Sequence, residues 1–375
     1  MNLMNKNRYG VLLLLTLCMI LHSSALALDD RSVSLNVSRM NDTLSGNMGK
    51  IPVGILVMQS GFVSDIGLEY QRAFEFALND HPDSPILPVI MDAGSNASVA
   101  TSAWHNLTTM VPDLPVVITV ASWTTNVVYP DAADSERTQL ALGSAVINRS
   151  RPSDHLIRFT PGVEQESPVL ASYLKQYSRI AMLGGDNDYS RGYITALESL
   201  LPDKFLLEEF YNPDDLQSTL NITNVTAFSP DVIVLLSVSE AGSVAEIIRD
   251  VGITVPLVGT RVIERNSLLE TEAADGLIFT VPALNRTHPF FSRYQDEYGE
   301  EATFYGAEGF DAMTTLFSAI DECGNTSECI SSWYQNRTYN GTLGTIRFDE
   351  SGVAYYPIEF KVIRDGKFEK YSFLS

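Results

Sequence analysis

Short apolar runs, each ending in a polar turn and followed by a helical stretch, constrain this chain more than any other feature. The clearest unit is residues 179–197, RIAMLGGDNDYSRGYITAL. It reads as a buried strand at 180–183, a Gly/Asp turn, and a helix opening near Ser190. Related runs precede it at 51–58, 86–91, 116–120 and 139–142, and others follow at 205–210, 232–236, 256–259 and 276–281. Strands buried on both faces and alternating with helices make a parallel sheet covered on both sides. Right-handed crossovers align the carboxyl ends of such strands along one edge, where open α/β sheets hold small ligands. The turns at 59–62, 122–125 and 143–145 therefore gather at one sheet edge. The second series builds another α/β lobe, with Tyr189 at its carboxyl edge and polar turns at 237–239 and 260–261.

Between the two series, Arg158-Phe159-Thr160-Pro161 reads as a connection. Helices are expected at 289–298 and 305–320, followed by a loop holding two cysteines. In the tail, Asp349–Gly352 and Asp365-Gly366 are turn signals around alternating strands, so a hairpin should close the sheet of one lobe.

The 375 residues are 45% apolar and 19% charged, enough for one large core or two medium ones. The start departs from that pattern. Lys6 and Arg8 precede an apolar run at 11–21, then Ser23-Ser24-Ala25-Leu26-Ala27. This is the pattern of a secretory signal peptide, with cleavage expected after Ala27. The run is shorter than the roughly 20 residues of a membrane span. Residues 28–49 are polar and aperiodic, a flexible leader. The mature chain is expected to be soluble outside the cytoplasm. Losing Lys6 and Arg8 takes the net charge from −21 to −23, and so acidic a surface repels nucleic acid and anionic lipid.

Cys323 and Cys329 remain after cleavage and, in an exported protein, are expected to form a disulfide. Eleven Asn-x-Ser/Thr sequons, at Asn36, Asn41, Asn96, Asn106, Asn148, Asn221, Asn224, Asn285, Asn325, Asn336 and Asn340, suit a glycosylated extracellular protein. No HExxH, GxSxG or GxxxxGK occurs, so none of those common routes to catalysis is marked. Asp186-x-Asp188-x-Ser190 lacks the glycine and the closing glutamate of a calcium loop and reads as a helix-capping turn. Neither metal nor cofactor is expected.

In order and spacing, these segments resemble the type I periplasmic binding protein family, in its leucine/isoleucine/valine-binding branch. The resemblance rests on Gly61 with Gly67, Ala73 and Asn79, on Arg158-Phe159, and on residues 186–192 with Tyr189. Tyr294, Tyr298-Gly299, Asp311-Ala312, Ala319 and Gly341-x-x-Gly344-x-x-x-Phe348-Asp349-x-x-Gly352 extend it over nearly all of 51–371. It implies an α/β fold of two doubly wound, Rossmann-like lobes joined by three crossover segments. Carried over, residues 50–158 and 284–345 form lobe 1, and residues 159–283 and 346–375 form lobe 2. A ligand would be sealed in the cleft between them by hinge closure.

The resemblance also implies site residues. A ligand α-carboxylate would be held by Ser122 and by Gly143-Ser144-Ala145, whose hydroxyls and backbone N–H groups suit it. Tyr189 matches a cleft tyrosine, Ser237 stands in place of a second, and Trp123 could stack on a ligand or simply pack. The acid that meets an ammonium group in the branch falls at Arg261, which reverses the charge and suits a carboxylate. Glu264 is the nearby acid that would serve if the turn were longer. Two ligand classes stay open, an amino acid or a small carboxylate without the amine. The implied role is an extracytoplasmic solute-binding protein, not an enzyme, working as a monomer with an ABC permease. A soluble sensor subunit is the alternative, and a structural surface glycoprotein leaves the cleft unexplained.

Overall fold

In the computed structural model, which describes residues 49–147 and 155–373, the first series forms one parallel sheet. Its elements are β1 (Ile51–Val57), α1 (Ser64–Asp80), β2 (Ile86–Asp92), α2 (Ala97–Met110), β3 (Val116–Val120), α3 (Ser122–Asp134), β4 (Thr138–Leu142) and β5 (Leu156–Arg158). The strand order is β2-β1-β3-β4-β5. β3 and β4 are buried at every residue, as strands covered on both faces must be. β5 is a correction to the sequence reading, which has Arg158 in a plain connection. Three residues carry too little periodicity to announce a strand, yet they pair in parallel with β4.

The second series runs α4 (Val163–Leu174), β6 (Arg179–Gly185), α5 (Asp188–Leu200), β7 (Phe205–Tyr211), α6 (Leu216–Thr219), α7 (Ile222–Phe228), β8 (Val232–Leu236), α8 (Ala241–Asp250), β9 (Leu257–Gly259) and β10 (Ile278–Pro282). The expected capping turn is present, with Asn187 accepting the Ser190 N–H at 3.1 Å.

The chain then returns to the first sheet through α9 (Pro289–Tyr298), α10 (Phe304–Cys323) and α11 (Ser327–Tyr334). Proline at the first position opens α9, and Gly299 at φ 75° closes it. α10 packs along α1, close enough that a Cβ on Gly309 would lie 3.1 Å from both Ala73 Cβ and the Tyr70 ring. Cys323 at the end of α10 and Cys329 in α11 lie side by side, with Cα atoms 5.5 Å apart.

The tail holds more than the expected hairpin. β11 (Thr338–Gly341), β12 (Gly344–Phe348) and β13 (Ala354–Tyr355) make a small sheet of their own. Only β14 (Ile358–Arg364) and β15 (Lys367–Tyr371) form the hairpin, which adds antiparallel to β10. The second sheet is thus β15-β14-β10-β9-β8-β6-β7. Where the chain passes between the two sheets, Arg158 N–H donates to Gly352 O at 2.9 Å and Ala283 N–H to Pro357 O at 2.8 Å.

One half-buried acid ties α1 to the start of α10. The Glu69 carboxylate accepts from Thr303 N–H (2.6 Å), Gly306 N–H (3.0 Å) and Thr303 Oγ1 (2.8 Å). Burial pushes its carboxyl from an ordinary 4.5 up to about 7, against the pull of those hydrogen bonds. A carboxyl raised in the folded state favours folding while protonated. That contribution is full below about pH 4.5 and is lost as pH rises through about 7. The urea midpoint should therefore fall between pH 5 and pH 8, and part of the fall should vanish in Glu69→Gln. An unchanged pH slope in that variant would remove Glu69 from the account.

Candidate functional site

Both sheets reverse their strand order, between β1 and β3 in the first and between β6 and β8 in the second. Such switch points open a crevice at the carboxyl ends of the strands. In the first sheet, the turn after β1 is clamped by Asp92, whose carboxylate accepts Gln59 N–H (2.9 Å), Ser60 N–H (3.2 Å) and Ser60 Oγ (2.6 Å). Gly61, at φ 92°, lies so close that a Cβ there would stand 2.0 Å from Ser95 Oγ. The chain leaves this turn at Phe62, which is half exposed.

After β3, Ala121 sits at φ 75°, ψ 150°, a conformation costly for any residue with a Cβ. It delivers Ser122 and Trp123 to the crevice side of α3. Ser122 Oγ accepts the Val146 N–H at 3.3 Å. The Trp123 ring lies 6.4 Å from the Phe62 ring, and its buried indole N–H has no hydrogen-bond partner.

The turn after β4 already has internal partners. Gly143 N–H donates to Glu308 at 3.0 Å and Ser144 N–H to Thr160 Oγ1 at 3.3 Å. Ser144 Oγ bonds Thr125 Oγ1 (2.7 Å) and Leu142 O (3.0 Å), and Ala145 is buried. Glu308 also accepts from Thr160 Oγ1 at 2.6 Å and from the Tyr70 hydroxyl. Burial pushes the Glu308 carboxyl up, and these three donors pull it back. A carboxylate of the protein itself therefore occupies the Gly143 amide that the family resemblance assigns to a ligand.

On the second sheet, Tyr189 stands in the first turn of α5. Its hydroxyl pairs with Thr260 Oγ1 and its ring lies 4.8 Å from that of Tyr193. Ser237 is fully buried, with its hydroxyl on Tyr211, which in turn donates to Glu240 at 3.0 Å. Arg261 is buried against Glu166, which also accepts Arg261 N–H (3.1 Å), Thr280 Oγ1 (2.6 Å) and the Tyr193 hydroxyl (2.5 Å). Glu264 is buried too, held by Lys361 and by Phe304 N–H at 3.2 Å.

The two edges face each other. A Cβ on Gly192, one turn beyond Tyr189, would lie 2.9 Å from Val146 Cγ2, the residue whose amide is bonded to Ser122. Arg265, in the segment after β9, reaches across to Asp65 at the start of α1. Its Nε and Nη2 hold both carboxylate oxygens at 3.0, 2.6 and 2.7 Å. Tyr305 is buried among these groups. Burial pushes its phenol up, and Arg261 and Arg265 pull it back.

The structure thus brings Ser122, Trp123 and the 143–145 turn to one wall and Tyr189 to the other. It turns Ser237 and Arg261 onto internal partners. Sequence reading placed Phe62 in an edge turn without giving it a role, and missed Asp65, Glu166, Arg265 and Glu308. A signal existed for Glu308, an acid set among Gly306, Ala307 and Gly309 in the mainly apolar first half of α10. Among the described residues no group of three His, Cys, Asp or Glu is placed to hold a metal, and no helix is long and apolar enough to cross a membrane.

A family model described as periplasmic binding protein matches residues 50–365. Among solved structures, an extracellular ligand binding receptor from Desulfohalobium retbaense is 35% identical, with a TM-score of 0.82 over 86% of this chain. The chain spans 60% of the length of that receptor chain. The leucine binding protein LivK of Thermotoga maritima is 20% identical, with a TM-score of 0.80 over 86% of this chain and 98% of its own. The substrate binding protein LivJ of Streptococcus pneumoniae, solved with isoleucine, is 18% identical, with a TM-score of 0.78 over 85% of this chain and 98% of its own. No curated protein matches. The α/β fold is the type I fold that LivK and LivJ share, and the family is one of extracytoplasmic binding proteins, not enzymes. The chain belongs to the periplasmic binding protein family.

Proposed function

We propose that this protein is the extracytoplasmic solute-binding component of an ABC importer, capturing an amino acid or a related small carboxylate by hinge closure. Residues 50–158 with 284–345 would form one lobe and residues 159–283 with 346–375 the other. The observation that carries the reading is the approach of two carboxyl sheet edges: the segment after β9 reaches the start of α1 through the Arg265–Asp65 pair, and α5 lies against the turn after β4 at Gly192 and Val146. A ligand in that crevice touches both lobes and so favours the closed state over the open one. Ser122, Trp123 and Tyr189 are its proposed contacts, with Gly143, Ser144, Ala145, Ser237 and Arg261 as supporting walls. The permease would read the closed state.

A sensor subunit is the second reading, favoured by the Desulfohalobium relative's description as a receptor. Neighbouring permease and ATPase genes would support import, and a neighbouring kinase or chemoreceptor would support sensing. Cleavage after Ala27, the Cys323–Cys329 disulfide and glycosylation belong to the same proposal. The proposed cleavage site and the sequons at Asn36, Asn41 and Asn148 lie outside the described residues. Of the sequon asparagines that are described, all but the half-buried Asn285 are exposed.

The test is a thermal-shift screen of the exported protein against amino acids and organic acids. A saturating ligand at about 100 times its Kd should stabilise the protein by about 2.7 kcal/mol, and small-angle scattering should show it contract. If no solute in either class raises the melting temperature, the reading is wrong. The intact mass of the same preparation reports its first residue, its disulfide and any glycans.

A further inference from the structure

We propose that the ligand is a carboxylate without an amine, and that Arg265 and the indole N–H of Trp123 hold it against Phe62. This rests on the solute-binding reading above. The guanidinium of Arg265 has one edge, Nε and Nη2, engaged on Asp65. Its Nη1 is buried and has no hydrogen-bond partner. The side chain is only 9% exposed, whereas that of Asp65 is 50% exposed. Water therefore solvates the acid's charge from outside, while the free end of the guanidinium points inward with nothing to meet it.

Trp123 Nε1 is the second buried donor without a partner. Phe62 links the two. Its carbonyl accepts from Arg265 Nη2 at 3.4 Å, and its ring lies 6.4 Å from the indole. Buried donors are nearly always satisfied in folded proteins. Two of them meeting one residue, Arg265 at the Phe62 carbonyl and Trp123 at its half-exposed ring, ask for an acceptor with an apolar neighbour. A guanidinium edge and an indole N–H suit a carboxylate, and charge-assisted hydrogen bonds of that kind are the strong ones.

The acids nearby do not ask for an ammonium. Glu166 is committed to Arg261, Thr280 and Tyr193, and Glu264 to Lys361 and Phe304 N–H. An amine brought here would lose its water and meet the guanidinium of Arg265, and Asp65, the acid beside it, is already held by that same guanidinium. Arg265 follows β9 of the second sheet and Trp123 follows β3 of the first. A carboxylate shared between them bridges the crevice beside the Arg265–Asp65 pair and stabilises the closed arrangement.

The experiment is calorimetric titration of the exported protein with two matched sets: 3-phenylpropanoate, phenylalanine and 2-phenylethylamine, then 4-methylpentanoate, leucine and 3-methylbutylamine. At least one plain acid should bind about tenfold or more tighter than both its amino acid and its amine. Arg265→Gln should weaken that acid by about ten- to a hundredfold, and Arg265→Lys should recover part of the loss. Trp123→Phe should weaken it severalfold. An amino acid that binds as tightly as its deaminated partner would overturn the ligand class while leaving the solute-binding function standing. Undiminished acid binding by Arg265→Gln would overturn the residue assignment. Failure of all six compounds would overturn the proposal, and the wider solute screen then decides whether the solute-binding function falls with it.

Discussion

Glu166→Gln should lower the free energy of unfolding by about 3–5 kcal/mol, because it strands the charge of Arg261 in the interior. Both side chains are almost wholly buried, at 1% and 2% exposure. The glutamate is the hub of its cluster, joining α4 to the segment after β9, to Thr280 on β10 and to Tyr193 on α5. Glutamine keeps the shape and some hydrogen bonds but not the compensating charge. A paired change, Glu166→Gln with Arg261→Met, should recover much of the loss by removing the stranded cation. Urea unfolding of the two single variants and the double one gives the coupling. A loss below about 1 kcal/mol in Glu166→Gln, within the range of surface pairs, would mean that Arg261 finds its compensation elsewhere.

Gly67→Ala should cost about 3 kcal/mol through steric overlap. A Cβ at this position would lie 1.8 Å from the carbonyl oxygen of Met58, so α1 can rest on the end of β1 only if residue 67 has no side chain. Alanine is the better helix former by about 1 kcal/mol, so the measured loss understates the clash. The displaced helix carries Asp65, and the displaced turn carries Phe62. Ligand-induced stabilisation should therefore fall along with the melting temperature. Gly276→Ala is the comparison. That glycine is at φ 80° with nothing within 4 Å of its would-be Cβ, so only the backbone cost of about 1 kcal/mol applies. Equal losses at the two sites would refute the steric account.

Much of the scaffold was legible because it follows from local pattern. The apolar runs at 116–120 and 232–236 coincide with β3 and β8, the span 289–298 coincides with α9, and the capping turn before α5 is held by Asn187. β5 and the small β11-β12-β13 sheet were not legible as such. Their strands are two to five residues long and are defined by partners distant in sequence.

The sheet-edge placement of the proposed contacts was legible, and their chemical surroundings only partly. Spacing brought Ser122, Trp123 and Tyr189 to sheet edges. It did not reveal that Glu308, 165 residues away, reaches the Gly143 amide, or that Asp65 and Arg265 meet across 200 residues. The charge reversal at Arg261 was visible in sequence. Its neutralisation by Glu166 was not, because a glutamate in the first turn of a helix looks like an ordinary solvated cap.

The two amide–carbonyl pairs at the crossings, Arg158 to Gly352 and Ala283 to Pro357, define a line through the molecule. Bodies pinned at two places along a line keep one freedom, turning about it, and lose the ability to slide past each other. If the proposed hinge closure turns about that line, every guest, whatever its size, meets walls travelling the same arc. Which wall contacts separate first is governed by their distance from the pins, with their individual strength coming second.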